Sequence, residues 1–495
     1  MSLYKKLAHL LKNDLVFFAG LFLFVIALFK QAFLIKFFQD DFFFLKISNA
    51  KTIRDFISFF SPIRTYSYKP LATEVFYFFI RTLRFNTFLG HTFVFFVYFV
   101  GIIFLYKIIY QLSNNRLFSR LVVFLYALSF IHVFQLYWFA TFQEVMVFTC
   151  LILSFYFYKN KKPLLNILFF TAALLSKETA MLFIVFLTVF ELVFEQKTIK
   201  KKLPLIIVNI FIGIIFLFIY KYSLKNVTSL DNYKLQFNNP KLMINNSMWY
   251  LLWSFGLPNF MSDVFRSFPL QPLPDFWKAF ATLDFKIYFY ILITYYSIFL
   301  VTLIAYITRY KNRINRILKN CFYFLSGFFI FLGPILLFSH KWMVRLTLPL
   351  IFIVSLQAYL VFMFLSAKEK IFKLLSNMLI ILFIIWNFYG TKVHESSSVY
   401  TLENRIVTNA SIYFSQHKKE IIKHKYLFFY DINKKKKPDS PWGGSEKLKN
   451  TFWDQYFIEY YFPENKIKAI YYFENKKTPE DSFVVLSRDI LLLKQ

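Results

Sequence analysis

Stretches of about twenty residues with almost no charge recur along this chain, beginning with residues 15–35. At about 1.5 Å of rise per residue, a helix of roughly 20 residues crosses the hydrocarbon core of a bilayer. A soluble protein rarely needs many helices that are apolar on every face. The 495-residue chain is 58% hydrophobic and carries 72 Phe against 10 Gly, which extends the inference to the whole molecule: an all-α polytopic membrane protein. Phe is abundant alongside Lys, Ile and Asn, so its stripes read as lipid-facing filler rather than a ligand box. Cys150 and Cys321 lie in or beside apolar runs and offer neither a disulfide framework nor zinc-ligand spacing.

Lys and Arg number 58 against 27 Asp and Glu, a net charge of +31. In a soluble chain that surplus would suggest nucleic acid. Here it gathers between apolar runs, as cytoplasmic loops and contact with anionic lipid require, so no nucleic-acid partner is expected. The clusters are Lys5/Lys6/Lys12, Lys107/Arg116/Arg120, Lys159/Lys161/Lys162, Lys197/Lys200/Lys201/Lys202, Arg309/Lys311/Arg313/Arg316/Lys319 and Lys368/Lys370/Lys373. With all six in the cytoplasm, each interval holds an even number of crossings, giving five hairpins. A last span at residues 374–389 then carries the chain out. The expectation is about eleven transmembrane helices, a cytoplasmic N-terminus, and residues 391–495 outside the cell membrane. The N-terminus resembles a signal sequence, but its apolar run is too long and lacks a small-residue cleavage site, so it reads as an uncleaved first span.

Residues 164–194 test the scheme, because Lys177-Glu178 interrupts them. One straight helix would bury that pair in lipid and put the flanking basic clusters on opposite sides. Two short spans, turning at Ser176-Lys177-Glu178-Thr179 below the outer surface in a protein-lined cavity, avoid both. The outer tips then share ionisable groups: Asp40 and Asp41 on the first, His132, Trp138 and Glu144 on the second, Lys177 and Glu178 on the third, His340, Lys341 and Arg345 on the fifth. Together they predict a polar cavity at the outer leaflet.

Within the transmembrane domain, residues 1–390, two long outer loops remain, 36–87 and 223–284. The first holds an amphipathic stretch near residues 71–83, suited to the interface. The second holds Pro240, Pro258, Pro269, Pro272 and Pro274 with Trp249, Trp253 and Trp277, aromatics suited to headgroup level. Residues 391–495 are polar and Lys-rich with short β-like runs at 426–430, 469–473 and 483–486, a small extracytoplasmic α/β domain. Sequons at Asn226, Asn245 and Asn409 are expected by chance in an Asn-rich chain.

Asp40 and Asp41 follow the first apolar run directly. A carboxylate pair at the membrane boundary is costly unless used. There it can take a proton from a water-soluble acceptor while a lipid-borne group approaches from the side.

The ordered elements resemble the GT-C superfamily of membrane glycosyltransferases, nearest to its protein O-mannosyltransferase and TMTC-like branch. Four patterns carry the resemblance: Phe38-Gln39-Asp40-Asp41; Tyr68-Lys69-Pro70-Leu71, followed by Gly90-His91; Ser176-Lys177-Glu178-Thr179; and Val344-Arg345-Leu346-Thr347-Leu348-Pro349. They span about residues 15–365 in family order. Lys69 stands where the family usually has Arg, Leu346 and Leu348 replace two Tyr, and Val133 follows His132 where Pro is common. The resemblance implies a polyprenyl-phosphate-linked sugar as donor and an extracytoplasmic glycan, lipid or protein as acceptor, with inversion at the anomeric carbon. Asp40 or Asp41 would be the base, its neighbour orienting the acceptor or binding a metal. Lys177, Arg345 and Lys69 would hold the donor phosphate. Glu178 would hold Lys177, and Glu144 and His91 would contact sugar or acceptor. No cofactor is required by this scheme, and a divalent metal is compatible with it.

Two other classes compete. A transporter or lipid flippase also uses intramembrane charge, but tends to place it at the midplane between repeated halves, and no internal repeat is visible here. A non-catalytic membrane scaffold would work through its C-terminal domain.

Overall fold

The computed structural model describes residues 13–64, 66–197, 199–226, 235–265, 271–397, 399–432 and 443–492. The Lys5/Lys6/Lys12 cluster, Pro269 and most of the Asn226 sequon lie outside these residues. The apolar runs become helices, and Asn side chains start several of them. Asn13 caps α1 (Asp14–Leu28), and a second, short helix α2 (Asp40–Ile47) follows the acidic pair's turn. Asn86 caps α3 (Thr87–Ser113) and Asn115 caps α4 (Arg116–Ala127), each accepting a backbone N–H of the first turn. The apolar succession continues with α5 (Phe142–Lys159), α6 (Pro163–Leu174), α7 (Leu182–Phe194) and α8 (Ile199–Ser223). After α9 (Pro240–Ser254) come α10 (Leu283–Arg309), α11 (Ile314–Leu332), α12 (Leu350–Leu365) and α13 (Lys370–Ser397).

Six of the described helices are long and apolar enough to cross a membrane, or seven if the bent pair Arg116–Ala127 and Phe130–Tyr137 counts as one span. Charge spacing leads to about eleven spans; length and apolarity alone support six or seven. Several runs break before reaching bilayer length. Residues 15–35 end their α-helix at Leu28 and continue as a 3-10 turn, Lys30–Leu34, and the run at residues 164–194 breaks at Lys177-Glu178.

That break is a reversal. The far end of α7 returns beside the start of α6: Glu195 pairs with Lys159 at the end of α5 and with Lys202. The break itself meets the opposite end of α5, where Lys177 pairs with Glu144. A buried polar seam fixes the packing, as Asn166 Nδ2 donates to Ser154 Oγ at 2.8 Å and Asn209 Nδ2 to Asn166 Oδ1 at 3.0 Å. At Gly101 on α3, a Cβ would lie 2.4 Å from the Phe148 ring, so only glycine permits this approach of α3 to α5. Further contacts tie the basic ends together: Arg120 to Asp14 at 2.6 Å, Gln111 to Asn160 at 3.2 Å and Arg309 to Glu369 at 3.0 Å.

Two composition readings change. Trp249 and Trp253 are fully buried, because α9 packs under the 3-10 turns Gly333–Leu337 and Met343–Leu346; of that trio Trp277 alone is exposed. Phe is not only lipid filler, since Phe76 stacks on Phe142 at 3.9 Å in the interior.

Beyond α13, helix α14 (Val399–Ile421) leads into β1 (Tyr426–Tyr430), α15 (Ser445–Phe452), α16 (Tyr456–Tyr461), β2 (Lys468–Tyr471) and β3 (Ser482–Leu486). The strands form a parallel sheet in the order β2-β1-β3, Phe428 facing Ile470 and Val484. Phe414, Phe429, Phe452 and Phe457 fill its core. This unit sits on α2: Phe457 packs on Phe42 at 4.9 Å, and Lys46 meets Glu459 at 2.5 Å.

Candidate active site

The acidic pair sits on a tight turn. Phe37 and Phe38 are buried, which fixes the chain before it. Gln39 then adopts φ 51°, ψ −127°, and the Asp41 N–H donates to Phe38 O at 3.2 Å. These are the marks of a type II′ turn, whose first central position belongs to glycine. A glutamine there stores about 1–3 kcal/mol of strain. The turn delivers both carboxylates to the first turn of α2, where the helix dipole favours them.

The two carboxylates have different surroundings. Asp41 is fully buried; its Oδ1 accepts from Tyr77 Oη at 2.5 Å and its Oδ2 from the Phe38 N–H at 3.0 Å. Burial pushes its carboxyl up to about 8 against these hydrogen bonds, and neighbouring Asp40 adds to the rise. Asp40 is partly exposed. Desolvation raises it to about 6, with Lys69 pulling the other way. Asp40 is thus the carboxylate of the pair that is ionised near neutrality and reachable from outside. Asp41 fastens the turn.

Lys69 reaches the site from the turn preceding Leu71–Val75, a π-helical segment. The Leu71 N–H donates to Leu175 O at 3.1 Å and joins this loop to the α6–α7 reversal. Lys69 lies 3.6 Å from Glu178. The loop is braced from behind by Arg64, which is buried with Glu74 at 2.7 Å and lies over the Tyr68 ring at 4.7 Å.

The expected Lys177–Glu178 pairing is corrected. Lys177 is in extended conformation, so neighbouring side chains diverge. Lys177 pairs with Glu144, whereas Glu178 faces Lys69. Glu178 also lies in the fields of Lys177 and Arg345. Arg345, on the turn Met343–Leu346, donates to His340 O at 2.8 Å and lies over the Phe338 ring at 5.3 Å. Thus Asp40, Lys69, Glu178, Lys177, Glu144 and Arg345, from five separate segments, form one continuous charged cluster.

His91 sits behind this cluster. It is buried, with Nδ1 3.0 Å from Leu136 O and Nε2 3.2 Å from Ile35 O, the position of a brace rather than a substrate contact. His132 is likewise buried, its Nε2 on Tyr126 O at 2.9 Å. Among the described residues no three His, Cys, Asp or Glu side chains group as a metal cage.

Trp342 and Tyr400 carry no sequence signal, whereas Trp138 belongs to the second outer tip. Trp138 stacks on Phe38 at 5.3 Å, and Trp342 and Tyr400 lie 5.8 and 5.7 Å from Trp138. This aromatic wall combines four distant segments. An apolar cavity of about 250 Å³ lies between α3, α5, α7, α11 and α12, and Leu348, three residues after Arg345, lines it. No protein-family model matches the chain, and no curated protein matches it.

Proposed function

We propose that this chain is an integral membrane glycosyltransferase that moves a sugar from a polyprenyl-phosphate carrier to an extracytoplasmic hydroxyl acceptor. The observation that carries the reading is a partly exposed carboxylate, Asp40, in the field of Lys69, which in turn faces Glu178 beside Lys177 and Arg345. In this reading the shorter helices also cross, for about eleven passages. The N-terminus is cytoplasmic and the C-terminal unit covers the outer face.

Asp40 takes the proton of the acceptor hydroxyl. The acceptor oxygen forms a bond to the anomeric carbon from the face opposite the phosphate. The bond from that carbon to the phosphate oxygen breaks, its electron pair leaves with polyprenyl phosphate, and the configuration inverts. The leaving group is already anionic, so it needs fixed positive charge rather than a proton. Arg345 and Lys69 supply that charge, and Lys177 adds to the field while held by Glu144. Lys69 acts as a point charge where Arg would grip bidentately. The apolar cavity beside Leu348 suits the first isoprene units.

The test is transfer from a panel of polyprenyl-phosphate sugars in membranes carrying the full chain. Wild type should transfer at least one sugar, and Asp40→Asn should not, at equal membrane insertion. Equal activity in both would refute the reading.

A further inference from the structure

We propose that Glu403, on α14 of the C-terminal unit, is a positioning residue for Asp40, acting through Gln39. The proposal rests on the reading of Asp40 as the base, and it gives the C-terminal unit a role in building that site.

Gln39 occupies a backbone region that glutamine rarely adopts, and it immediately precedes Asp40. Its dihedral angles set the direction in which Asp40 leaves the turn. Such a conformation persists only when surrounding groups over-determine it. Those groups come from the C-terminal unit. The Gln39 amide Nε2 donates to Glu403 Oε1 at 3.0 Å, and its backbone N–H donates to Thr451 O at 2.8 Å. Glu403 is completely buried and pairs with Lys447 of α15. A buried ion pair contributes little net stability, so its value lies in holding something specific.

The clamp is wider than one contact. Tyr400, Glu403 and Asn404 share one face of α14, at i, i+3 and i+4. The Tyr400 ring lies 5.8 Å from Phe38, and Asn404 Oδ1 accepts from the Lys36 N–H at 2.8 Å. One helical face therefore grips residues 36, 38 and 39 in succession, ending one residue before the base. Removing Glu403 frees the Gln39 side chain, lets its φ relax to negative values and turns Asp40 away from Lys69.

The experiment uses the full chain. Glu403→Ala should lower kcat at least tenfold with KM for the lipid-linked donor changed less than twofold. Glu403→Gln keeps a carbonyl acceptor for Gln39 and should retain at least half of kcat. Gln39→Gly placed in the Glu403→Ala background should recover at least fivefold, because glycine adopts the turn without a clamp. A general folding defect would not be repaired at residue 39.

A second readout needs no turnover. Carbodiimide labelling of Asp40, measured by mass spectrometry on the purified chain, should rise at least threefold in Glu403→Ala. It should return to within twofold of wild type when Gln39→Gly is added. Unchanged labelling in Glu403→Ala, or labelling and kcat that Gln39→Gly fails to restore, overturns the proposal. Wild type that transfers no sugar while labelling follows this pattern refutes the glycosyltransferase reading and leaves the clamp standing.

Discussion

Tyr77 donates its hydroxyl hydrogen to Asp41 Oδ1 across 2.5 Å of a fully buried contact. This bond, together with the Phe38 N–H on the other oxygen, occupies Asp41 and leaves Asp40 as the partly exposed carboxylate of the pair. Adjacent and chemically identical residues thereby take different tasks.

Tyr77→Phe removes that hydrogen bond and leaves a buried carboxyl oxygen unsatisfied. The expected loss is about 1–3 kcal/mol of stability. Thermal unfolding in detergent measures it. A melting temperature unchanged from wild type would show that the contact holds nothing.

Asp41 also gives stability a pH dependence with a definite sign. Its carboxyl is raised from 3.8 to about 8 in the folded chain, so between those values the folded state binds more protons than the unfolded one. Stability from this group therefore falls as pH rises through that window. Asp41→Asn carries no such charge. The stability difference, variant minus wild type, should move in the variant's favour between pH 4 and pH 8. A difference that stays flat contradicts the buried setting.

Asp40→Asn should reduce transfer by about 10²–10⁴-fold, the range for loss of a general base, without changing insertion. The wild-type rate should rise with pH through about 6 and level off above it, since Asp40 must be ionised to accept a proton. A pH–rate profile on isolated membranes tests this. A rate that falls across pH 5 to 7 would assign Asp40 the opposite proton state.

The Lys177–Glu144 pair is buried at both ends. Glu144→Gln or Lys177→Met alone leaves one buried charge without its partner, at an expected cost of about 3–5 kcal/mol. The double variant should lose less than either single change. Strict additivity in this cycle, read by chemical or thermal unfolding, would show that the two residues do not interact.

Arg345→Ala should raise the donor KM at least tenfold, while Lys69→Arg should leave it unchanged or lower it by gaining a bidentate grip. Initial rates over a donor titration separate the two. An unaltered KM in Arg345→Ala would remove Arg345 from the phosphate site.

Hydrophobic run length and charge spacing are local properties, and they were enough to show apolar helices, the reversal at Lys177-Glu178 and the β-runs near residues 426, 469 and 483. Helix length was less legible. Whether residues 15–35 continue past Leu28 as an α-helix depends on a 3-10 turn that packs against α3. Side-chain pairing at the site was less legible still. Lys177 and Glu178 are neighbours in the chain, yet extended backbone sends them to Glu144 and Lys69 respectively. Asp40 and Asp41 are indistinguishable as letters. Tyr77, 36 residues away, parts them by bonding Asp41 alone, and Glu403, over 360 residues away, bonds the turn before them, because burial and hydrogen bonding are created when distant segments pack and have no period along the chain.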